Sequence, residues 1–179
     1  MQFTPTAIPD VVLIEPRVFQ DDRGFFLETF HASRYRDGGI PYDFVQDNHS
    51  KSIRGTLRGL HAQRRRPQGK LVRAAQGEIF DVAVDIRPSS ATFSKWVGAS
   101  LSGENFRQMF IPPGFAHGFC VLSGSAEVEY KCTDFYDRAD EIGVRWDSAG
   151  IEWSIQDPLL SPKDAALPTL LQIREALES

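Results

Sequence analysis

Turn-forming clusters cut this chain into short runs, and that punctuation constrains its fold more than any other feature. Residues 53–60, 70–75, 78–86, 92–101, 107–111, 118–122 and 126–132 carry the apolar and β-branched side chains of strands. Between them stand Gln76-Gly77, Pro88-Ser89-Ser90, Ser102-Gly103-Glu104-Asn105, Pro112-Pro113-Gly114 and Ser123-Gly124-Ser125. Short strands at this spacing predict an all-β barrel or sandwich. Val82, Val84 and Ile86 alternate with Ala83 and Asp85, as in a half-buried strand. Upstream, the pattern predicts one strand over 11–19, a turn at 20–24, an aromatic strand over 25–30 and a short helix over 32–37. Downstream, Leu167, Leu170, Leu171 and Leu177 approach helical spacing, and Pro168 limits the start. A helix from about Thr169, packed outside the barrel, is expected.

A chain of 179 residues without repeat or linker reads as one domain, 1–179. Its net charge of −4 argues against nucleic-acid binding. The charge is unevenly spread. Eight of the 20 basic residues and none of the 24 acidic ones lie in 48–77, which leaves 12 against 24 elsewhere. A local charge of +8 in a chain that is otherwise −12 suits either an anion site or a solvated basic loop. Cys120 and Cys132 lack zinc spacing and read as structural thiols in a reducing cytosol. No secretory signal or membrane span is expected.

Three segments carry candidate chemistry. Arg58-Gly59-Leu60-His61-Ala62-Gln63 ends a strand, and regular alternation would set Arg58, Leu60 and Ala62 opposite Gly59, His61 and Gln63. His61 is suited to proton transfer, although an isolated histidine is more often a surface or satisfied core residue. Lys70 opens a strand; facing inward it would stabilise an oxyanion, and facing outward it is an ordinary edge lysine. Pro112-Pro113-Gly114-Phe115-Ala116-His117 makes a tight turn that delivers His117 onto the next strand. Tyr130, Tyr136 and Asp164 are further candidates, an acid or an orienting carboxylate beside a histidine.

The pattern P-x-G-x-x-H resembles the second half-motif of the cupin superfamily, whose fold is a jelly-roll β-barrel. The first half-motif would be H-x-H followed by Glu. Here His61-Ala62-Gln63 stands in its place and no Glu follows until Glu78, so no metal is expected. Over nearly its whole length the chain resembles dTDP-4-dehydrorhamnose 3,5-epimerases. The matching stretches are Asp22–Glu28, Gln46–Ser50, Arg58–His61, Gly69–Val72, Asp81–Arg87, Ile111–Phe119, Tyr130–Tyr136 and Leu160–Asp164.

The resemblance implies a cupin-type jelly-roll barrel with short peripheral helices, no cofactor and a cytoplasmic homodimer that exchanges N-terminal strands. It implies epimerisation at C3 and C5 of a dTDP-linked 4-keto-6-deoxyhexose, in the service of rhamnose synthesis. It makes His61 the base, Asp164 its paired carboxylate, Tyr130 the acid, and Lys70 and His117 neighbours of the keto oxygen. Arg23, Phe26 and Glu28 match nucleotide-binding residues that reach the partner's site. Gln46, Asn48, Arg58 and Tyr136 match other substrate contacts. The chemistry is coherent, because the 4-keto group acidifies C3 and C5 alike and Arg23 and Arg58 suit a diphosphate. Three departures from the family border the expected site: Ala62 in place of an aromatic residue, a shortened loop bearing Arg64-Arg65-Arg66, and Ser148 in place of proline. Alternatives at this stage are an epimerase of C3 or C5 alone, a nucleotide-sugar 3,4-ketoisomerase, and a sugar-binding module without activity.

Overall fold

The computed structural model describes residues 1–178. In chain order its elements are β1 (Gln2–Pro5), β2 (Val12–Glu15), β3 (Val18–Asp21), β4 (Gly24–Leu27), α1 (Ala32–Asp37), β5 (Gln46–Ile53), β6 (Leu57–Gln63), β7 (Lys70–Gln76) and β8 (Glu78–Asp85). Then come β9 (Trp96–Ser102), β10 (Gln108–Ile111), β11 (Phe115–Val121), β12 (Ser125–Cys132), β13 (Glu141–Gly143), α2 (Pro162–Ala165) and α3 (Leu170–Glu178). Six strands form one sheet in the order β1-β2-β10-β7-β12-β5. Five form the second, β13-β6-β11-β8-β9. The result is a jelly-roll sandwich in which the sheets face each other without closing into a hydrogen-bonded barrel.

Alternation sorts the apolar residues into three layers. Val72, Ile79, Ala83, Leu101, Met109, Phe119 and Val128 come from both sheets and fill the space between them. Leu60, Ala62, Val82, Val84 and Ala116 face the other way, where Val144, Trp153, Leu170 and Ile173 cover them. Val12, Ile14, Leu71 and Phe110 lie on the outer face of the six-stranded sheet, under Tyr35 and Ile40. Full burial of one such aliphatic side chain contributes roughly 1.5–3 kcal/mol. The alternation in β8 is therefore real, but both of its faces are buried: Val82, Ala83, Val84 and Asp85 are all inaccessible. A half-buried strand was expected there, and the C-terminal segment accounts for the difference.

Other boundaries moved for local reasons. The single strand expected over 11–19 is two, β2 and β3, interrupted at Pro16, which has no N–H to donate. The turn at Asp22-Arg23 joins β3 and β4 into a separate two-stranded hairpin, and the second strand ends at Leu27. The sequence pattern missed β5. Its residues are mostly polar and it is an edge strand that pairs only with β12, so no apolar alternation marks it. The helices α1 and α3 stand where expected.

Asp85 shows how a charge is kept inside this fold. Its carboxylate accepts hydrogen bonds from Arg87, Ser90 and Thr92. Burial opposes ionisation, yet these donors prevail and hold its pKa at about 2, below the ordinary 3.8. A lowered folded-state pKa stabilises the fold above the unfolded value and loses that contribution as pH falls towards the folded one. The shift corresponds to about 2 kcal/mol. Asp85→Asn should lose roughly that much stability at pH 7. The gap to wild type should narrow below pH 4, as read by urea denaturation.

Candidate active site

A cavity of about 530 Å³ opens between the sheets, walled by β5, β6, β7, β11 and β12 and by the segment that runs through α2. It brings Arg58, His61, Lys70, His117, Tyr130 and Asp164 together. An adjoining cavity of about 240 Å³ shares His61, Lys70 and Tyr130 and adds Gln46, Asn48 and Tyr136.

Strand β6 reaches this site by breaking its own alternation. His61 pairs with His117 on β11, but Arg58 pairs with Phe119. Three steps on β6 therefore match two on β11, which is a β-bulge with one extra residue. The extra residue turns Arg58 onto the His61 side, into the cavity, while Leu60 and Ala62 stay in the outer apolar layer. Regular alternation had set Arg58 and His61 on opposite faces; the bulge corrects that. It also places Ala62 mainly in outer packing, with only its edge at the adjoining cavity. Glycine is obligatory at the bulge. Gly59 has φ +118, and a Cβ there would meet the Gly118 Cα at 2.6 Å.

His61 Nε2 lies 2.6 Å from Asp164 Oδ1. The imidazole is 31% exposed and the carboxylate 5%. Asp164 sits in the first turn of α2, where its N–H donates to the capping hydroxyl of Ser161. Burial raises its pKa, but His61, Ser161 and the Gly59 N–H outweigh burial and bring it below the ordinary carboxylate range. His117 Nε2 lies 2.7 Å from Asp81 Oδ1 on β8, with both side chains buried. Burial drives the pKa of His117 down despite Asp81, so its ring is neutral near pH 7. Lys70 is buried, and its Nζ lies 3.4 Å from the His61 carbonyl oxygen. Desolvation lowers its pKa, opposed by Cys132, Asp81 and Glu141. Burial raises the pKa of Tyr130, which keeps its phenol protonated. Arg58 is braced by a 2.9 Å bond from Nε to Ser52, which leaves its terminal nitrogens for a ligand.

Six of the eight residues of the basic segment fall into two groups, while Arg54 donates to the Leu122 carbonyl. Lys51, Arg65, Arg66 and Arg73 pair with Glu127, Asp140, Asp134 and Glu129. Arg58 and Lys70 line the cavity, and among the described residues neither has a carboxylate partner in ion-pair range. The arginine run is thus a structural clamp at its second and third members. Arg23, Phe26 and Glu28 do not reach the cavity of their own chain. Arg23 pairs with Asp21 on the exposed hairpin, Phe26 is 70% exposed and Glu28 pairs with Arg34. The sequence reading gave no role to Asp81, Glu141, Lys163 or Ser52. Asp81 was detectable as a carboxylate on the inward face of an apolar strand. Glu141 accepts from the Tyr136 hydroxyl at 2.8 Å, five residues away, and from Lys163 at 2.5 Å, across a longer loop. Among the described residues no group of three or more His, Cys, Asp or Glu is arranged to hold a metal ion.

A family model described as dTDP-4-dehydrorhamnose 3,5-epimerase matches residues 5–172. A dTDP-4-dehydrorhamnose 3,5-epimerase from Pseudomonas aeruginosa is 58% identical over 168 residues, which cover 92% of this chain and 93% of the relative. The crystal structure of a dTDP-6-deoxy-D-glucose-3,5-epimerase from Legionella pneumophila, in complex with dTDP-4-keto-L-rhamnose, is similar at a TM-score of 0.94. It is 50% identical, and the match covers 98% of this chain and 96% of that one. Identity falls to 37% with a dTDP-4-dehydrorhamnose 3-epimerase from Streptomyces niveus, over 98% of this chain and 87% of the relative.

The crossing of β6 and β11 supplies a direct test of the site's architecture. A Cβ on Gly118 would meet the Arg58 carbonyl oxygen at 2.7 Å, and backbone cannot step aside as a side chain can. Gly118→Ala should destabilise the protein by about 1–3 kcal/mol. Chemical denaturation measures it, and a change within error would show that the crossing has slack.

Proposed function

The chain belongs to the dTDP-4-dehydrorhamnose 3,5-epimerase family, and from that premise we propose how its cavity works and how it is completed. The reaction inverts C3 and C5 of dTDP-4-dehydro-6-deoxyglucose to give dTDP-4-dehydro-L-rhamnose. Each inversion removes a proton beside the 4-keto group and returns one to the opposite ring face. It therefore needs a base, an acid facing it, and a group that stabilises the enolate oxygen between the two events.

His61 is the base, and the observation that carries this reading is its 2.6 Å contact with Asp164. A carboxylate held ionised behind an imidazole selects the tautomer with a free nitrogen towards the substrate. It then stabilises the imidazolium formed when the proton arrives. Tyr130 is the acid; its hydroxyl has no hydrogen-bond partner among the described residues, and it lines the same cavity. Lys70 neutralises the enolate oxygen, where one preorganised donor contributes on the order of 3 kcal/mol. His117 borders that oxygen, and Arg58 takes the diphosphate. Gln46, Asn48 and Tyr136 contact the substrate from the adjoining cavity. The one 4-keto group activates both carbons, so the same residues serve both inversions.

Arg23, Phe26 and Glu28 complete the site of a second copy of the chain. Supporting this are the detached β3–β4 hairpin, the exposure of Phe19, Phe25 and Phe26, and the absence of these three residues from their own chain's cavity. The working unit is thus a homodimer of one-domain chains exchanging N-terminal segments, with the C-terminal helix as an outer layer. The two cysteines are buried and unpaired, which suits the reducing cytoplasm. Among the described residues no helix is long and apolar enough to cross a membrane.

Two experiments test these assignments. In deuterated water the wild-type enzyme should place deuterium at C3 and C5 of the substrate, followed by NMR. His61→Ala should abolish exchange at both positions, and Asp164→Asn should slow it by about 10²- to 10⁴-fold. Full exchange by His61→Ala would remove His61 as the base. Separately, His61→Ala and Arg23→Ala should each be nearly inactive alone. Mixed as subunits, they should recover about a quarter of wild-type activity, because half the dimers are mixed and each holds one intact site. No recovery on verified mixing would refute the shared site.

A further inference from the structure

Two histidines stand opposite each other on neighbouring strands, His61 on β6 and His117 on β11. Each has a buried carboxylate behind it. The proposed mechanism uses one of these pairs and leaves Asp81 without a task. Asp81 is wholly inaccessible; one oxygen is bonded to His117, and the other has no partner among the described residues. A carboxylate stripped of water with half of its hydrogen-bonding capacity unused is costly unless a cation lies near. Of the three cationic residues that line the same cavity as His117, Arg58, Lys70 and Lys163, the buried one is Lys70, 8% exposed.

Resting on the mechanistic reading above, we infer that Asp81 is a positioning residue for Lys70. Its carboxylate, oriented by the hydrogen bond to His117, supplies the countercharge that keeps the buried amine an ammonium, ready for the enolate oxygen. The hydrogen bond to Asp81 holds the His117 ring as a neutral donor at Nε2. The electrostatics agree, since Asp81 favours the charged form of Lys70 while desolvation opposes it. The other titratable groups around Lys70 are known. Cys132 on β12 and Glu141 on β13 also favour its charge. His61 on β6, Tyr130 on β12 and Asp164 on α2 share its cavity. Of the carboxylates acting on Lys70, Asp81 alone is wholly inaccessible; Glu141 already holds Lys163 and Tyr136.

The test is the pH dependence of epimerisation in Asp81→Asn, which keeps the shape and an oxygen for His117 but removes the charge. The affinity for dTDP, measured by calorimetry, should be unchanged. The turnover number should fall at least tenfold at pH 8 and much less at pH 6. The alkaline limb of the profile should move to lower pH by about one unit or more. In a Lys70→Met background, Asp81→Asn should cause no further loss. A loss equal at all pH values, or additive with Lys70→Met, would overturn the proposal. If Asp81→Asn does not fold, Asp81→Ser carries the same expectations. Failure of the wild-type enzyme to exchange C3 and C5 protons would instead strike the mechanistic reading beneath it.

Discussion

The contact between His61 and Asp164 joins residues 103 apart in sequence, and much of the architecture serves it. His61 lies on an inner strand of the five-stranded sheet, and Asp164 lies in a four-residue helix of the C-terminal segment. So short a helix does not hold itself in place. It is capped by Ser161, tied through Lys163 to Glu141 on β13, and followed by an apolar stretch that seals the sheet's outer face. The hydrophobic layer therefore does more than add stability, because it fixes where the carboxylate sits relative to the imidazole.

The strand crossing beneath that contact has the same character. Two glycines let β6 and β11 approach until no Cβ fits, and the bulge beside them brings Arg58 and His61 onto one wall. His61 and Arg58 thus share a cavity because a regular ladder was interrupted. Bulges next to active sites re-aim side chains in this way. Around this wall the charges are sorted by partner. Arg65 and Arg66 pair with acidic residues, whereas the exposed Arg58 and the buried Lys70 line the cavity.

Much of the fold was legible because it rests on local rules. Turn clusters marked the strand ends, α1 closed at its glycines, and the leucine spacing after Pro168 announced α3. Failures came where tertiary context decides. Strand β5 is polar because it is an edge strand and places Gln46, Asn48 and Ser50 in the cavities, so its sequence carries no strand pattern. Strand β8 looked half-buried because nothing local shows that a distant segment covers it. Arg58 was assigned to the wrong face because a bulge has no signature beyond a glycine.

The sequence by itself determined the class of fold and the family, since both depend on residue types and their order. It carried His61, Lys70, Tyr130 and Asp164 in the spacing of one family. Only the tertiary structure decided which of them meet. It set the imidazole against the carboxylate, turned Arg58 inward, backed His117 with Asp81, and kept Arg23, Phe26 and Glu28 away from their own cavity. Propensity and periodicity act over a few residues, whereas a site assembled from five strands and a distant helix depends on register, layer packing and the burial of charge.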